Sequence, residues 1–264
     1  MRPRWALVML IKILALSVLE GVTEFLPISS TGHLILVSEL LNMDKRFYEV
    51  FDIAIQLGAI GAVVCLFPSY FYANIRQPSK QTLAIGLSVM PLLVVGYLFK
   101  DVIKAVLFSP QVIFWGLIVG GVGLMIAERI KPLESTNDHK ESVTLRQAVV
   151  IGCWQCLALW PGMSRSAMTI MGGLASGLNR VTSASFSFVI AVPVMLVVVG
   201  YELLNAWSKL SWNEYAWIAC GMAVSFLVAF FTMRWFLRFI EHNGLLVFGI
   251  YRVALGTLGL VFFV

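Results

Sequence analysis

Charge is what this sequence has least of. Only 12% of its 264 residues are Asp, Glu, Lys or Arg, against 59% hydrophobic, and the mean hydropathy is +0.89. A soluble domain carries about 25% charged residues, so a water-exposed fold around one core is excluded and a polytopic membrane protein is left. Cysteine is also sparse: Cys65, Cys153, Cys156 and Cys220 include one C-W-Q-C pair and no second. That excludes the paired-thiol pattern of structural zinc and gives no ground for redox chemistry. No A-x-A-like cleavage site follows the first apolar run, so Arg2 to Leu19 is expected to belong to the mature fold. The formal charge is +5, but the basic residues are scattered through short loops. Such scatter fits membrane-topology signals and argues against nucleic acid as a partner.

Apolar runs of bilayer-crossing length are abundant. Spans are expected at about 50–67, 83–99, 111–128, 181–200, 215–233 and 245–264. Two further stretches, about 5–41 and 145–178, are interrupted by LPISSTGH and WPGMSRSAMT. Proline lacks a backbone donor and disfavours helix in the residue before it, so each stretch reads as helix, break, helix. The halves echo each other: Glu20 answers Gln155 and Phe51 answers Phe186 at a spacing of 135, Pro27 answers Pro161 at 134, and Gly120 answers Gly256 at 136. The fold expected is all-α and polytopic, with about six transmembrane helices plus two broken re-entrant segments in an inverted-topology repeat. It is a single membrane domain over 1–264, with pseudo-repeats of about 1–130 and 143–264 joined by a polar loop at 129–146. Loops 68–82, 129–146 and 234–244 hold eight Lys and Arg against five in 42–50, 100–110 and 202–214. The richer set is expected in the cytoplasm, although Arg2, Arg4 and Lys12 pull the other way if the amino terminus is external. Trp5, Trp207 and Trp212 read as interface anchors. The glycines of GLIVGGVGL and MGGLASG read as sites of close helix packing, and they permit a homodimer.

Irregular backbone at membrane depth survives only when buried in protein or lining a wet cavity, so both breaks are expected to face one cavity. After each proline come Ser or Thr residues where a new helix starts, offering free amides, hydroxyls and a positive dipole end, a setting for phosphate. Ser29 and Thr31 in the first break, and Ser164, Ser166 and Thr169 in the second, are the candidate anion ligands. Arg165 adds a planar fork that grips two phosphate oxygens; its alternative is a structural pair with a glutamate. Glu20 and Glu24, four residues apart, share a helix face and repel. A divalent cation shared with phosphate oxygens would compensate, as would Arg165 or a proton on one acid. His33 follows closely enough to share the cavity with Ser29, Ser30 and Thr31. Asp52 and Gln56 are either supports of the site or ordinary interhelical hydrogen bonders. Arg252, in IYRVALG, is either a cavity arginine that reaches the diphosphate or a snorkelling interface residue.

On these residues the sequence resembles the undecaprenyl-diphosphate phosphatase family, the bacitracin-resistance integral membrane phosphatases of bacteria. EGVTEFLPISSTGH is similar to that family's E-x-x-x-E segment running into a Ser-Ser-Thr-Gly-His signature, and PGMSRSAMT to its P-G-x-S-R-S-x-x-T signature. FDIAIQLGAI, CWQCLALWPG and IYR extend the resemblance over essentially the whole chain. It implies hydrolysis of undecaprenyl diphosphate to undecaprenyl phosphate and inorganic phosphate, recycling the lipid carrier of peptidoglycan synthesis. It further implies residence in the bacterial cytoplasmic (inner) membrane, with membrane lipids and a polyprenyl diphosphate as partners, a cleft facing the periplasm, and dependence on a divalent cation.

The catalytic set expected is Glu20, Glu24, Ser30, His33 and Arg165, with Glu20 and Glu24 holding magnesium or calcium. Three nucleophiles stay open: Ser30 activated by His33 or a glutamate, His33 itself, and a metal-bound water. A transporter or flippase of a lipid phosphate, built on the same inverted repeat, is the alternative.

Overall fold

The computed structural model describes residues 2–71, 79–107, 109–130, 142–206 and 210–263, with no strand among them. In chain order the first half has α1 (Arg2–Thr23), α2 (Ser30–Leu40), α3 (Lys45–Leu66), α4 (Lys80–Leu107) and α5 (Pro110–Ile130). The second has α6 (Leu145–Gln155) extended by a 3₁₀ turn (Cys156–Leu159), then α7 (Arg165–Ala175), α8 (Arg180–Ala206), α9 (Trp212–Asn243) and α10 (Leu246–Phe263). Residues 131–141 of the polar linker, Trp207 and the Trp5 side chain lie outside the described residues.

Among the described residues six helices are long and apolar enough to cross a membrane. The number is the expected one, but the membership differs. α1 is unbroken to Thr23 and contributes the span Ala6–Thr23, whereas the apolar stretch of α10, Leu246–Phe262, is shorter. The first break begins only at Glu24, which leaves a full helix before it; the second follows an α6 of 11 residues. α9 also continues to Asn243, so 234–244 is mostly helix rather than loop, and Arg234 and Arg238 sit on its last turns.

Large apolar side chains face outward all along these helices, among them Tyr97, Leu204, Phe231 and Phe262. Water would penalise such a surface, and hydrocarbon solvates it. The interior is filled by Phe25, Phe51, Phe188 and Phe236, all fully buried, and Phe25 meets Phe188 edge-on at 5.3 Å between ring centroids. α1 packs on α9 and α6 on α4, while α3 lies against α8 and α9, and α5 against α10. α5 also touches both short helices, α2 and α7. It is tied to α8 by a bidentate pair: Arg180 Nη2 donates to Glu128 Oε1 at 2.7 Å and its Nε to Oε2 at 3.2 Å, with the side chains only 9% and 11% exposed.

The two breaks are built alike. In the first, Pro27 cannot continue the ladder of α1; Ile28 N–H closes on the Leu26 carbonyl at 2.8 Å, and Ser29 turns with φ 71° into α2. In the second, Pro161 is followed by Gly162 at φ 92°, Met163 N–H closes on the Trp160 carbonyl at 3.1 Å, and Ser164 turns with φ 67° into α7. At Gly162 any Cβ would overlap the Ile113 carbonyl of α5. Non-glycine residues seldom adopt this left-handed region, and each instance costs on the order of 1–3 kcal/mol. Two such serines, each at the N-cap position of the short helix after a proline break, mark where the fold is held against local preference.

Candidate functional site

The breaks face one another across a polar cavity of about 170 Å³. Ser29, Ser30, Thr31 and Glu24 line it from the first break, Ser164 and Arg165 from the second, and Gln56 of α3 from the side. The positive ends of α2 and α7 therefore converge. Ser29 makes no side-chain cap bond, so its hydroxyl and the first-turn amides of α2 keep their capacity to receive an anion. Ser164 does cap, its Oγ accepting from Ala167 N–H at 3.3 Å.

Glu24 stands at the centre. Its Oε2 accepts a hydrogen bond from Ser30 Oγ at 2.6 Å, and its Oε1 accepts from Arg165 Nη2 at 2.9 Å. Arg165 is held further by the Ser187 carbonyl at 3.2 Å and lies 5.8 Å above the Phe25 ring. One carboxylate thus touches both the hydroxyl and the guanidinium.

Glu20 lies one turn back on α1, fully buried, and among the described residues neither of its carboxylate oxygens has a hydrogen-bond partner. Glu24, Asp52 and Arg165 are its charged neighbours, and Asp52 Oδ1 is likewise without a partner. Buried, unpartnered carboxylate oxygens are the hard donors that magnesium and calcium accept. Neither Glu20 nor Asp52 lines the cavity, and among the described residues no three His, Cys, Asp or Glu side chains form a ready-made metal site.

The remaining expected residues lie elsewhere. Ser166 Oγ donates to the Leu26 carbonyl at 2.7 Å, tying α7 to the first break, and Thr169 Oγ1 is 2.6 Å from Ser187 Oγ; both face protein. His33 does not line the cavity. Its Nδ1–H donates to the Ser29 carbonyl at 2.7 Å, which leaves Nε2 to accept from Tyr251 Oη–H at 2.6 Å. The group in contact with Ser30 Oγ is the Glu24 carboxylate, whereas both His33 nitrogens bond elsewhere. Arg252 is fully buried, so the snorkelling alternative is corrected. Its guanidinium donates to the carbonyls of Pro27 (3.3 Å), Gly116 (3.3 Å), Gly162 (2.9 Å) and Met163 (2.8 Å) instead of facing the cavity. Interrupted helices leave carbonyls in need of donors, and a guanidinium has five. Tyr251, Ser187 and Phe25 carry parts of the site that the sequence reading missed. Tyr251 adjoins Arg252 in IYR, yet no spacing shows that it reaches residue 33.

The sequence profile of the family described as bacitracin resistance protein BacA matches residues 13–258. A protein of Bacillus thuringiensis (strain Al Hakam) named undecaprenyl-diphosphatase 1 is 42% identical over 254 residues, covering 94% of this chain and 96% of its own. The protein of the same name in Bacillus anthracis is 42% identical over the same shares. The undecaprenyl-diphosphatase of Parvibaculum lavamentivorans (strain DS-1 / DSM 13023 / NCIMB 13966) is 40% identical over 94% of each chain.

Proposed function

This chain belongs to the family of the bacitracin resistance protein BacA, and from that membership and the geometry of its site we propose that it hydrolyses undecaprenyl diphosphate to undecaprenyl phosphate and inorganic phosphate. The observation that carries the chemistry is the Glu24 carboxylate, in contact with Ser30 Oγ at 2.6 Å and Arg165 Nη2 at 2.9 Å. A hydroxyl, a base and a phosphate-gripping cation in mutual contact are what phosphoryl transfer requires.

Ser30 Oγ attacks the terminal phosphorus while its proton passes to Glu24 Oε2. The bond from that phosphorus to the bridging oxygen breaks, and undecaprenyl phosphate leaves with the electron pair. The diphosphate draws the Arg165 fork from Glu24 as it binds, and the proton that Glu24 then gains keeps the carboxyl from reclaiming the fork while the phosphoryl group is transferred. Ser29, Thr31 and Ser164, with the first-turn amides of α2, take its other oxygens. Water then attacks the phosphoserine; Glu24 returns its proton to Ser30 Oγ as the phosphorus–Oγ bond breaks, and inorganic phosphate departs. Glu20, with Glu24 beside it, would hold a magnesium or calcium ion, which when bound neutralises phosphate charge.

The setting proposed is the bacterial cytoplasmic membrane, with the cavity open to the periplasm and the product returned as lipid carrier for peptidoglycan synthesis. An apolar cavity of about 180 Å³ between α2 and α5, lined by Gly32, Ile35, Ile113 and Phe114, begins one residue along from Thr31 and gives the first isoprene units a wall. A homodimer would have to pair away from Gly116, Gly120 and Gly121, which are covered within the chain.

The test is phosphate release from undecaprenyl diphosphate by detergent-purified protein, with and without a chelator. Release that the chelator stops supports the reading. No release by folded protein in a lipid environment refutes it and leaves movement of a lipid phosphate as the activity to measure.

A further inference from the structure

The glycines at 116, 120 and 121 of α5 leave a trough, and the side chain of Arg252 from α10 lies in it. A methyl group at Gly120 would overlap Arg252 Nη2, one at Gly121 would stand 3.0 Å from Arg252 Cβ, and one at Gly116 would overlap the Pro161 carbonyl. Through this trough a single guanidinium bonds Pro27 O in the first break and Gly162 O and Met163 O in the second. No carboxylate accepts from it in these bonds; what it holds is backbone.

The neighbouring residue reaches the first break by another route. Tyr251 Oη–H donates to His33 Nε2 at 2.6 Å, the rings stack at 5.6 Å, and His33 Nδ1–H donates to the Ser29 carbonyl at 2.7 Å. Both braces end beside a strained serine: Ser29 (φ 71°) carries the carbonyl that His33 holds, and Ser164 (φ 67°) directly follows the carbonyl of Met163. Backbone in this region persists only where its surroundings over-determine it, and α10 supplies that constraint at both turns.

We propose that Tyr251 and Arg252 are positioning residues for the hydrolysis, holding the two serine-capped turns in the one register at which Glu24 joins Ser30 to Arg165. The inference rests on the phosphatase reading for its kinetic consequence. It assigns Arg252 no contact with the diphosphate and His33 no proton transfer to substrate. His33 is the middle link of a brace.

The test compares Arg252→Lys, Tyr251→Phe and Gly120→Ala with wild type and with Gly86→Ala. The Gly120 variant displaces the fork while keeping its charge; a methyl group added at Gly86 would meet nothing within 4 Å, so that variant serves as control. Turnover, KM and amide hydrogen exchange of segments 26–31 and 162–166 are measured on folded protein. Arg252→Lys and Gly120→Ala are expected to lower kcat on the order of 10²-fold, the scale of an ångström-size misplacement, with KM within about twofold because uniform binding is untouched. The two together should be no worse than either, since they disturb one contact. Tyr251→Phe lowers kcat on its own and speeds exchange at 26–31 only, whereas Arg252→Lys speeds it in both segments. Gly86→Ala changes nothing.

Wild-type kcat and wild-type exchange in Arg252→Lys and Gly120→Ala would overturn the proposal. So would a raised KM at constant kcat in Arg252→Lys, the mark of a diphosphate ligand. Should wild type release no phosphate, hydrolysis is refuted, but unchanged exchange would still overturn the bracing and faster exchange would still support it.

Discussion

Replacing Glu24 with Gln keeps the side chain's shape and an oxygen for Arg165 while removing the charge and the proton acceptor. The bond from Ser30 Oγ at 2.6 Å is charge-assisted in the native protein, and no other described side chain accepts from that hydroxyl. Loss of a positioned general base costs about 10²- to 10⁴-fold in rate, or about 3–5 kcal/mol of barrier at 1.36 kcal/mol per tenfold. Binding should move the other way. Without the carboxylate, Arg165 no longer has to leave an ion pair to meet phosphate, so KM should hold or fall. The cost to folding is about 3 kcal/mol, the scale of breaking a buried ion pair, since the Arg165 and Glu24 side chains are 14% and 8% exposed. Initial rates of phosphate release over a range of undecaprenyl diphosphate, with thermal denaturation of the same detergent-purified samples, separate the three effects. A kcat within about threefold of wild type would refute Glu24 as the base, and a raised KM with kcat intact would make it a binding residue.

In Ser30→Ala, turnover should vanish, and wild type carrying label from the terminal phosphate should retain it through an acid quench on the peptide containing Ser30; label on His33 after an alkaline quench, lost in acid, would reverse the assignment. Arg165→Lys keeps a cation but loses the fork, so KM for the diphosphate should rise about tenfold, or about 1.4 kcal/mol, measured by steady-state kinetics. Glu20→Gln should raise the magnesium or calcium concentration for half-maximal rate more than about tenfold if its unpartnered oxygens are cation ligands, as a cation titration after chelation would show. Glu128→Gln breaks the ion pair with Arg180, whose two side chains are 11% and 9% exposed; unfolding should become easier by about 3 kcal/mol, with kcat of the folded fraction unchanged.

The breaks were readable because proline acts locally: Pro27 and Pro161 lack a donor wherever they stand, and serines after them announce helix starts. Which spans count as complete was less readable. The end of α1 depends on where the ladder actually fails, beyond Glu24, whose N–H still bonds the Glu20 carbonyl at 2.9 Å, and the end of α9 on a helix that ignores the basic residues expected in a loop. The contact of Ser30 with Glu24, six residues apart, was within reach of a local reading that allowed a glutamate as base. The brace from Tyr251 through His33, 218 residues distant, was not, because it depends on α10 lying against α5. For the same reason GLIVGGVGL announced close helix packing, which Gly121 makes with the Gly249 carbonyl, but not that Gly120 makes room for the Arg252 guanidinium. Spacing along a chain reveals which residues share a helix face, not which distant carbonyl a buried guanidinium will find.

The pairing of Arg165 with Glu24 at 2.9 Å also bears on how the site empties. An incoming phosphate competes with an anion tethered at contact distance, whose local concentration no ligand in the membrane approaches. A diphosphate, carrying more negative charge than a monophosphate, can win that contest. Once the terminal group has gone, the lipid left behind is the weaker competitor, and the carboxylate reclaims its seat. In the proposed hydrolysis the ion pair would then serve as a charge threshold, admitting the diphosphate and disfavouring return of the monophosphate.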